Sequence, residues 1–151
     1  MKNIIVVCTL FWSLLGVSQS ILPEVQRAKV VDELLKERLD SHLPVLMDRA
    51  GIDMWVLISR EYNEDPVLRT MLPATWLNAR RRTILLFYRD TSKGTIDKLA
   101  VARYNIGESI TSAWDKEQEP DQWQRLMDLI SERNPSKIGL NYSRDLSLIH
   151  I

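Results

Sequence analysis

Apolar side chains recur at steps of three and four residues after Pro23, a spacing that predicts one apolar face of a long helix. Pro44 interrupts the pattern because it has no N–H to donate to the carbonyl of Asp40. The helix is expected either to kink or to restart with Asp40 or Ser41 as N-cap, and we favour the restart. Gly51 predicts its end. The apolar face consists of Val31, Leu34, Leu35, Leu39, Leu43, Leu46, Met47 and Ala50.

Two apolar runs without alternation, 54–58 and 83–88, predict strands that are buried on both faces. Helices are therefore expected on either side of the sheet. Residues 98–104 predict a third strand, joined to the second by a turn at 90–94, so that the two form a hairpin with an antiparallel edge. Because this hairpin is combined with helix-linked strands, the predicted fold class is α/β, a mixed β-sheet flanked by helices.

The rest of the pattern predicts one more helix and one more strand. The acidic segment 119–121 suits a helix start, and Asn134 followed by Pro135 ends that helix before a strand that begins at 137–140. Residues 59–82, between the first two strands, are expected to form a loop, and such loops often carry function. The apolar face of the helix is predicted to consist of Trp123, Leu126, Met127 and Ile130.

A short apolar stretch at the amino terminus is typical of a cleavable signal peptide. Lys2 precedes an apolar run from Ile4 to Val17, and small residues follow at 18–20. The run is shorter than the ~20 residues of a membrane-spanning helix, which favours cleavage over anchoring. We expect residues 1–20 to be removed and the mature protein to be exported, periplasmic or secreted, with no membrane association afterwards.

Charge and cysteine content narrow the function classes. The 151 residues include 20 Lys+Arg and 20 Asp+Glu, so no nucleic-acid partner is expected. The arginines at 80–82 are predicted to be a solvated strand entrance, that is, solvent-exposed side chains where the second strand begins. Phosphate or nucleic-acid binding is the alternative. Cys8 is the only cysteine and lies in the predicted signal, which argues against thiol catalysis in the mature chain.

No recognisable motif for a catalytic centre is present. The chain has 2 histidines, His42 and His150, and has neither a Gly-rich phosphate loop nor a nucleophile elbow. We therefore expect no catalytic residue, no metal site and no cofactor in this chain. Acid–base catalysis by the loop carboxylates is possible in principle, and these are Glu61, Glu64 and Asp65. The alternative is that they only keep the loop soluble.

Two groups of motifs stand in order between residues 30 and 145. The first is Glu-Arg-Leu at 37–39, then Met-Asp-Arg-Ala-Gly-Ile-Asp at 47–53 before the strand; the second is the helix 123–134 followed by Pro-Ser-Lys-Ile-Gly-Leu-Asn-Tyr at 135–142. Together they resemble the amino-terminal domain of the creatinase, prolidase and aminopeptidase P family of metallopeptidases. The resemblance implies a fold like the creatinase/aminopeptidase P N-terminal domain over residues 21–145.

The resemblance also implies a function for the intact protein, an exported X-prolyl aminopeptidase-like hydrolase. Its catalytic domain would follow this chain, adopt the pita-bread fold and hold two divalent metal ions, expected to be manganese. This fragment would be non-catalytic and inactive alone. Its partners would be the missing C-terminal catalytic domain, further copies in a homo-oligomer, and the parent's peptide substrate. The alternative is a free-standing periplasmic α/β binding or interaction module.

By the same resemblance, the loop after the first strand would help to wall the substrate entrance. Relatives follow that strand with an Asn and a Tyr-Leu-Thr-Gly-Phe-like segment, which this chain lacks, so no substrate preference is carried over. The substrate-access candidates are Tyr62, Asn63, Trp76 and Arg80. Aromatic packing with a solvated Asn and Arg is the alternative.

The last six residues, 146–151, read Leu-Ser-Leu-Ile-His-Ile. They resemble the translation of a transposase mosaic end that is used to fragment DNA for sequencing. We expect this tail to be non-native and the native coding sequence to stop near Asp145.

Overall fold

The computed structural model describes residues 21–142, in which helices pack on both faces of one β-sheet. The predicted signal at 1–20 and the predicted tail at 146–151 lie outside the described residues. The helices are α1 (Glu24–Glu37), a π-helix (Arg38–His42), α2 (Leu43–Ala50), α3 (Pro66–Thr70) and α4 (Gln122–Arg133). The strands are β1 (Met54–Arg60), β2 (Arg82–Asp90), β3 (Thr95–Val101), β4 (Thr111–Ser112) and β5 (Ile138–Leu140).

The sheet is mixed, as predicted, with the strand order β4-β3-β2-β1-β5. β2 pairs antiparallel with both β1 and β3, whereas β5 and β4 add parallel pairs at the two outer edges. The hairpin of β2 and β3 is therefore confirmed. It is not outermost along its whole length, because β4 pairs with Leu99 and Ala100 of β3. Ala113 also donates its N–H to the carbonyl of Ala100 (2.8 Å).

Side chains from both faces of the central strands are buried, which confirms the interpretation of the unbroken apolar runs. On one face Leu57, Leu85 and Phe87 pack with α1, the π-helix and α2. On the other face Met54, Val56, Ile58, Ile84 and Leu86 pack with Leu126 and Leu129 of α4. The sheet is thus packed between helical layers, and the ends of its strands contribute to the protein surface.

The predicted helix restart at Asp40 or Ser41 is wrong, because the helix continues through Pro44. The N–H of Leu43 donates to the carbonyl of Arg38, five residues earlier, and the flanking residues keep right-handed helical torsions. This π-helical register accommodates Pro44 without ending the helix. Asp40 makes no cap, and its carboxylate instead contacts Lys36 and Lys98.

The apolar faces predicted for the helices are only partly buried. Leu35, Leu39, Leu43 and Met47 are buried, whereas Val31, Leu34, Leu46 and Ala50 are exposed. In α4 the buried apolar residues are Leu126 and Leu129, while Met127, predicted to face the core, is 55% exposed. The period was predicted correctly and part of each predicted face is buried, but each predicted face includes residues that are exposed. No helix in the described range is both long and apolar enough to cross a membrane.

Candidate functional site

A cleft of about 630 Å³ opens at one end of the sheet. The antiparallel register brings the end of β1, the start of β2 and the end of β3 to this point, with Arg60 opposite Arg82 and Ile84 opposite Val101. We call it the arginine cleft. Its lining comprises Arg60, Glu61, Tyr62, Trp76, Arg80, Arg81, Arg82, Thr83, Ala102, Arg103, Tyr104, Trp114 and Gln122.

The charge of the arginine cleft is strongly positive, because five arginines and a single carboxylate line it. None of the five guanidinium groups forms an ion pair within residues 21–142. Arg60 and Arg82 stand directly opposite each other on neighbouring strands, an arrangement that is unfavourable for like charges. The cleft therefore concentrates uncompensated positive charge in a chain whose formal net charge is +0.

Aromatic rings hold two of the arginines in place. The guanidinium carbon of Arg80 lies 4.5 Å from the ring centre of Trp76, and that of Arg82 lies 4.7 Å from the ring centre of Trp123. Both distances fall in the range of cation–π contacts. The Nε of Arg82 is buried and has no hydrogen-bond partner among the described residues.

The loop backbone at the cleft adopts conformations that are uncommon for residues other than glycine. Tyr62 has a φ of 67° and Arg81 a φ of 52°, both in the left-handed region. Glu61 links the two turns, since its N–H donates to the carbonyl of Arg81 (2.6 Å) and its Oε2 accepts from the N–H of Arg81 (3.3 Å). The carboxylate of Glu61 therefore orders the rim of the cleft.

Gln122 closes the cleft from the side of α4. Asp121 caps this helix by accepting a hydrogen bond from the N–H of Trp123 (2.8 Å), which turns the buried Gln122 toward the sheet. Its Nε2 donates to the carbonyl of Val101 (2.5 Å) and to that of Arg82 (3.2 Å). The ends of β2 and β3 are thus tied together behind the arginines.

Three of the four predicted substrate-access residues, Tyr62, Trp76 and Arg80, line the arginine cleft. Tyr62 is 91% exposed, so its ring is not packing into the core. Asn63 does not line the cleft, and its N–H donates to the carbonyl of Arg60 (3.0 Å) in the turn after β1. Sequence reasoning did not single out Arg60, Arg103 and Gln122.

Asp65, one of the loop carboxylates, has a structural role. It is 4% exposed and caps α3, since its Oδ1 accepts from the N–H of Val67 (2.6 Å). Its Oδ2 accepts from the amide of Asn141 (2.8 Å). Within residues 21–142, no group of three or more His, Cys, Asp or Glu could hold a metal ion. His42 is exposed and forms no side-chain cap.

Comparison with known proteins gives no match, whether to a family model, to a curated protein or to a solved structure. The α/β class therefore stands on the sheet topology described above, and the chemistry of the cleft has to be argued from its own residues.

Proposed function

We propose that this chain is the non-catalytic amino-terminal domain of an exported X-prolyl aminopeptidase-like metallopeptidase, with a creatinase/aminopeptidase P N-terminal domain-like fold. The observation that carries the proposal is the contact between the two motif groups of the resemblance. Asp53, in the first group, accepts hydrogen bonds from the N–H groups of Ser136 (2.9 Å) and Lys137 (3.0 Å) in the second. β1 then pairs in parallel with β5, with Met54 opposite Ile138.

These contacts give the motif residues a shared structural role. Gly51 ends α2 in a left-handed conformation with a φ of 60°, which turns the chain so that Asp53 can reach the segment before β5. This supports treating both groups as parts of one domain.

The proposed contribution of the domain is to assembly and substrate access. Tyr62, Trp76 and Arg80 would form part of the entrance wall, and their common position in the arginine cleft supports this role. The two divalent metal ions, proposed to be manganese, would belong to the downstream catalytic domain and supply the hydrolytic chemistry there. This domain would bind and orient the peptide.

The coding sequence offers the most direct test. In an independently assembled genome, the reading frame should continue past residue 145 into a domain rich in Asp, Glu and His ligands. A stop codon at that point would contradict the proposal. The purified chain should release no amino acid from an X-Pro peptide when manganese, cobalt or zinc is added, and metal-dependent turnover would also contradict it.

The role in substrate access can be tested in the intact parent enzyme. Trp76→Ala and Arg80→Gln should raise KM for an X-Pro peptide with a smaller change in kcat, because they remove binding contacts outside the reacting centre. Arg27→Gln, an exposed arginine of α1, is the matched control and should change neither constant. An unchanged KM in both cleft variants would rule out the access role.

The alternative is a free-standing periplasmic binding module. It is favoured by one observation, namely that the arginine cleft is lined by five arginines with no ion pair among the described residues, which suits a ligand of its own. The stop codon described above would favour this alternative over the metallopeptidase.

A further inference from the structure

We infer that the arginine cleft is a binding site for a small organic oxyanion, that is, a carboxylate or phosphate group carried by a molecule with a planar ring. The inference does not depend on the metallopeptidase proposal, because every residue that it uses belongs to this chain. It rests on the charge, the backbone conformation and the aromatic rings of the cleft.

Arginines are concentrated in the cleft. Outside it, Arg89, Arg125 and Arg133 each pair with a carboxylate. Four other arginines outside the cleft have no ion pair among the described residues, namely Arg27, Arg38, Arg49 and Arg69. In the cleft, five guanidinium groups share a single carboxylate, that of Glu61, and none of them is ion-paired within the described residues. The guanidinium fork matches the oxygens of carboxylate and phosphate groups, which accept two parallel hydrogen bonds. An oxyanion is therefore the complement of the cleft.

The fold tolerates unfavourable features at the cleft. Arg60 and Arg82 are directly opposed across β1 and β2, although like charges in that arrangement repel. Tyr62 and Arg81 keep left-handed backbone conformations that cost free energy for non-glycine residues. Such costs cluster at ligand sites, and a bound anion would remove the repulsion between the two arginines.

Exposed aromatic rings lie beside the charged groups of the cleft. Tyr62 is 91% exposed and Tyr104 60% exposed, and both line the cleft beside the stacked pair of Trp76 and Arg80. Exposed aromatic and guanidinium planes are stacking surfaces for planar rings. The ligand is therefore expected to carry a ring as well as negative charge.

The size and overall charge favour a small molecule over a nucleic acid strand. The cleft volume of about 630 Å³ lies within the range of ligand pockets, roughly 300–1,000 Å³. The chain has a pI of about 6.7, whereas nucleic-acid-binding domains are typically basic overall, with a pI above about 9. The positive charge is thus local to one cleft.

Calorimetric titration of the purified full chain with four probes tests the inference. ATP and benzene-1,3,5-tricarboxylate combine a ring with phosphate or carboxylate groups, and tripolyphosphate and citrate carry the same groups without a ring. At least one ringed probe should bind about tenfold tighter than its ringless counterpart, the gain expected from one stacking contact. The tighter of the two ringed probes identifies the oxyanion as phosphate or carboxylate.

Variants then locate the binding. Arg60→Gln with Arg103→Gln should weaken the best probe by about tenfold or more, because two charge-assisted contacts are lost. The charge-matched pair Arg27→Gln with Arg49→Gln, both exposed residues outside the cleft, should leave the affinity unchanged.

Two tyrosine variants test the ring contact in the same way. Tyr62→Ala should remove most of the preference for ringed probes. Tyr142→Ala is the matched control, since its side chain is 90% exposed and lies outside the cleft. The inference would be overturned by no binding of any probe, by equal losses in cleft and control variants, or by a 12-nucleotide single strand that binds about tenfold tighter than ATP.

Discussion

Asp53 connects two segments that are 83 residues apart, and its replacement by alanine tests whether that connection stabilises the fold. The carboxylate accepts two backbone hydrogen bonds, at 2.9 Å from Ser136 and 3.0 Å from Lys137. A hydrogen bond to a charged group contributes about 1.5–3 kcal/mol, and we take about 1 kcal/mol for each because both are exposed to water. Asp53→Ala should therefore lower the free energy of unfolding by about 2 kcal/mol.

Urea denaturation measures the change in the free energy of unfolding, thermal denaturation measures the change in the melting midpoint, and hydrogen exchange locates the change in the chain. The midpoint of thermal unfolding should fall by roughly 5–10 °C for a domain of this size. Exchange should accelerate at residues 136–140, because β5 has only 3 residues and, within residues 21–142, pairs with β1 alone. Asp53→Asn should lose less stability, since its amide oxygen still accepts a hydrogen bond.

Asp115→Ala is a control with the same number of lost hydrogen bonds. Asp115 accepts from the N–H of Glu117 (2.9 Å) and from the side chain of Gln118 (2.9 Å), but both partners lie within the same turn. Its loss should leave exchange in β5 unchanged. If Asp53→Ala changed the free energy of unfolding by less than about 0.5 kcal/mol, or if both variants had the same exchange pattern, the proposed connection would be refuted.

Two further substitutions test the loop and the π-helix. Asp65→Ala should lower the free energy of unfolding by about 2 kcal/mol, because a buried helix cap and a second hydrogen bond are lost. A decrease of less than about 0.5 kcal/mol, measured by urea denaturation, would argue against this role. Hydrogen bonds from Lys36 and then Lys98 lower the pKa of Asp40 from 3.8. The folded pKa is therefore below the unfolded value, so the stabilisation is present above 3.8 and is lost as the pH falls through the folded value. Asp40→Asn should lower the free energy of unfolding by about 0.2–1 kcal/mol at neutral pH and should leave it unchanged at a pH below the pKa of Asp40 in the folded protein. Urea midpoints that fall equally at both pH values would contradict this.

Much of the secondary structure could be predicted because the spacing of apolar residues and the residues that end helices mark it in the sequence. The unbroken runs of β1 and β2 predicted burial on both faces, and Gly51 and Asn134 marked helix ends, where both adopt left-handed conformations. The π-helical turn could not be predicted, because Pro44 is compatible both with the start of a new helix and with a kink in a continuous one. Only the hydrogen bond from Leu43 to Arg38 distinguishes these cases.

The face that α4 buries was also beyond the sequence pattern. Met127 and Leu129 are both apolar and only two positions apart, so either could belong to the core. The rotation of the helix is set by tertiary contacts: Gln122 binds the carbonyls at the ends of β2 and β3, and Arg125 donates to the carbonyl of Ala113 (2.8 Å). Polar contacts of this kind have no periodic signature.

The arginine cleft was predictable in principle from the strand order. Arg60 follows the first apolar run, the arginines at 80–82 precede the second, and Arg103 lies at the end of the third predicted strand. In two successive antiparallel pairs these positions meet at one end of the sheet. The arginines at 80–82 do lie at the start of β2, where Arg80 and Arg81 are exposed as predicted, but their grouping with Arg60 and Arg103 is visible only once the neighbours across the strands are considered.

The register also explains why the positive charge persists at that end of the sheet. The packing of particular side chains on both faces of β1 and β2 fixes the pairing, since a shift by one residue would exchange the side chains of the two closely packed layers. Arg60 and Arg82 cannot move apart by sliding the strands, and Gln122 holds the strand ends from behind. The repulsion is therefore built into a rigid scaffold, so the guanidinium groups need no large rearrangement to meet an anion. Such preorganisation lowers the cost of binding, and it connects the packing of the core to the proposed chemistry of the cleft.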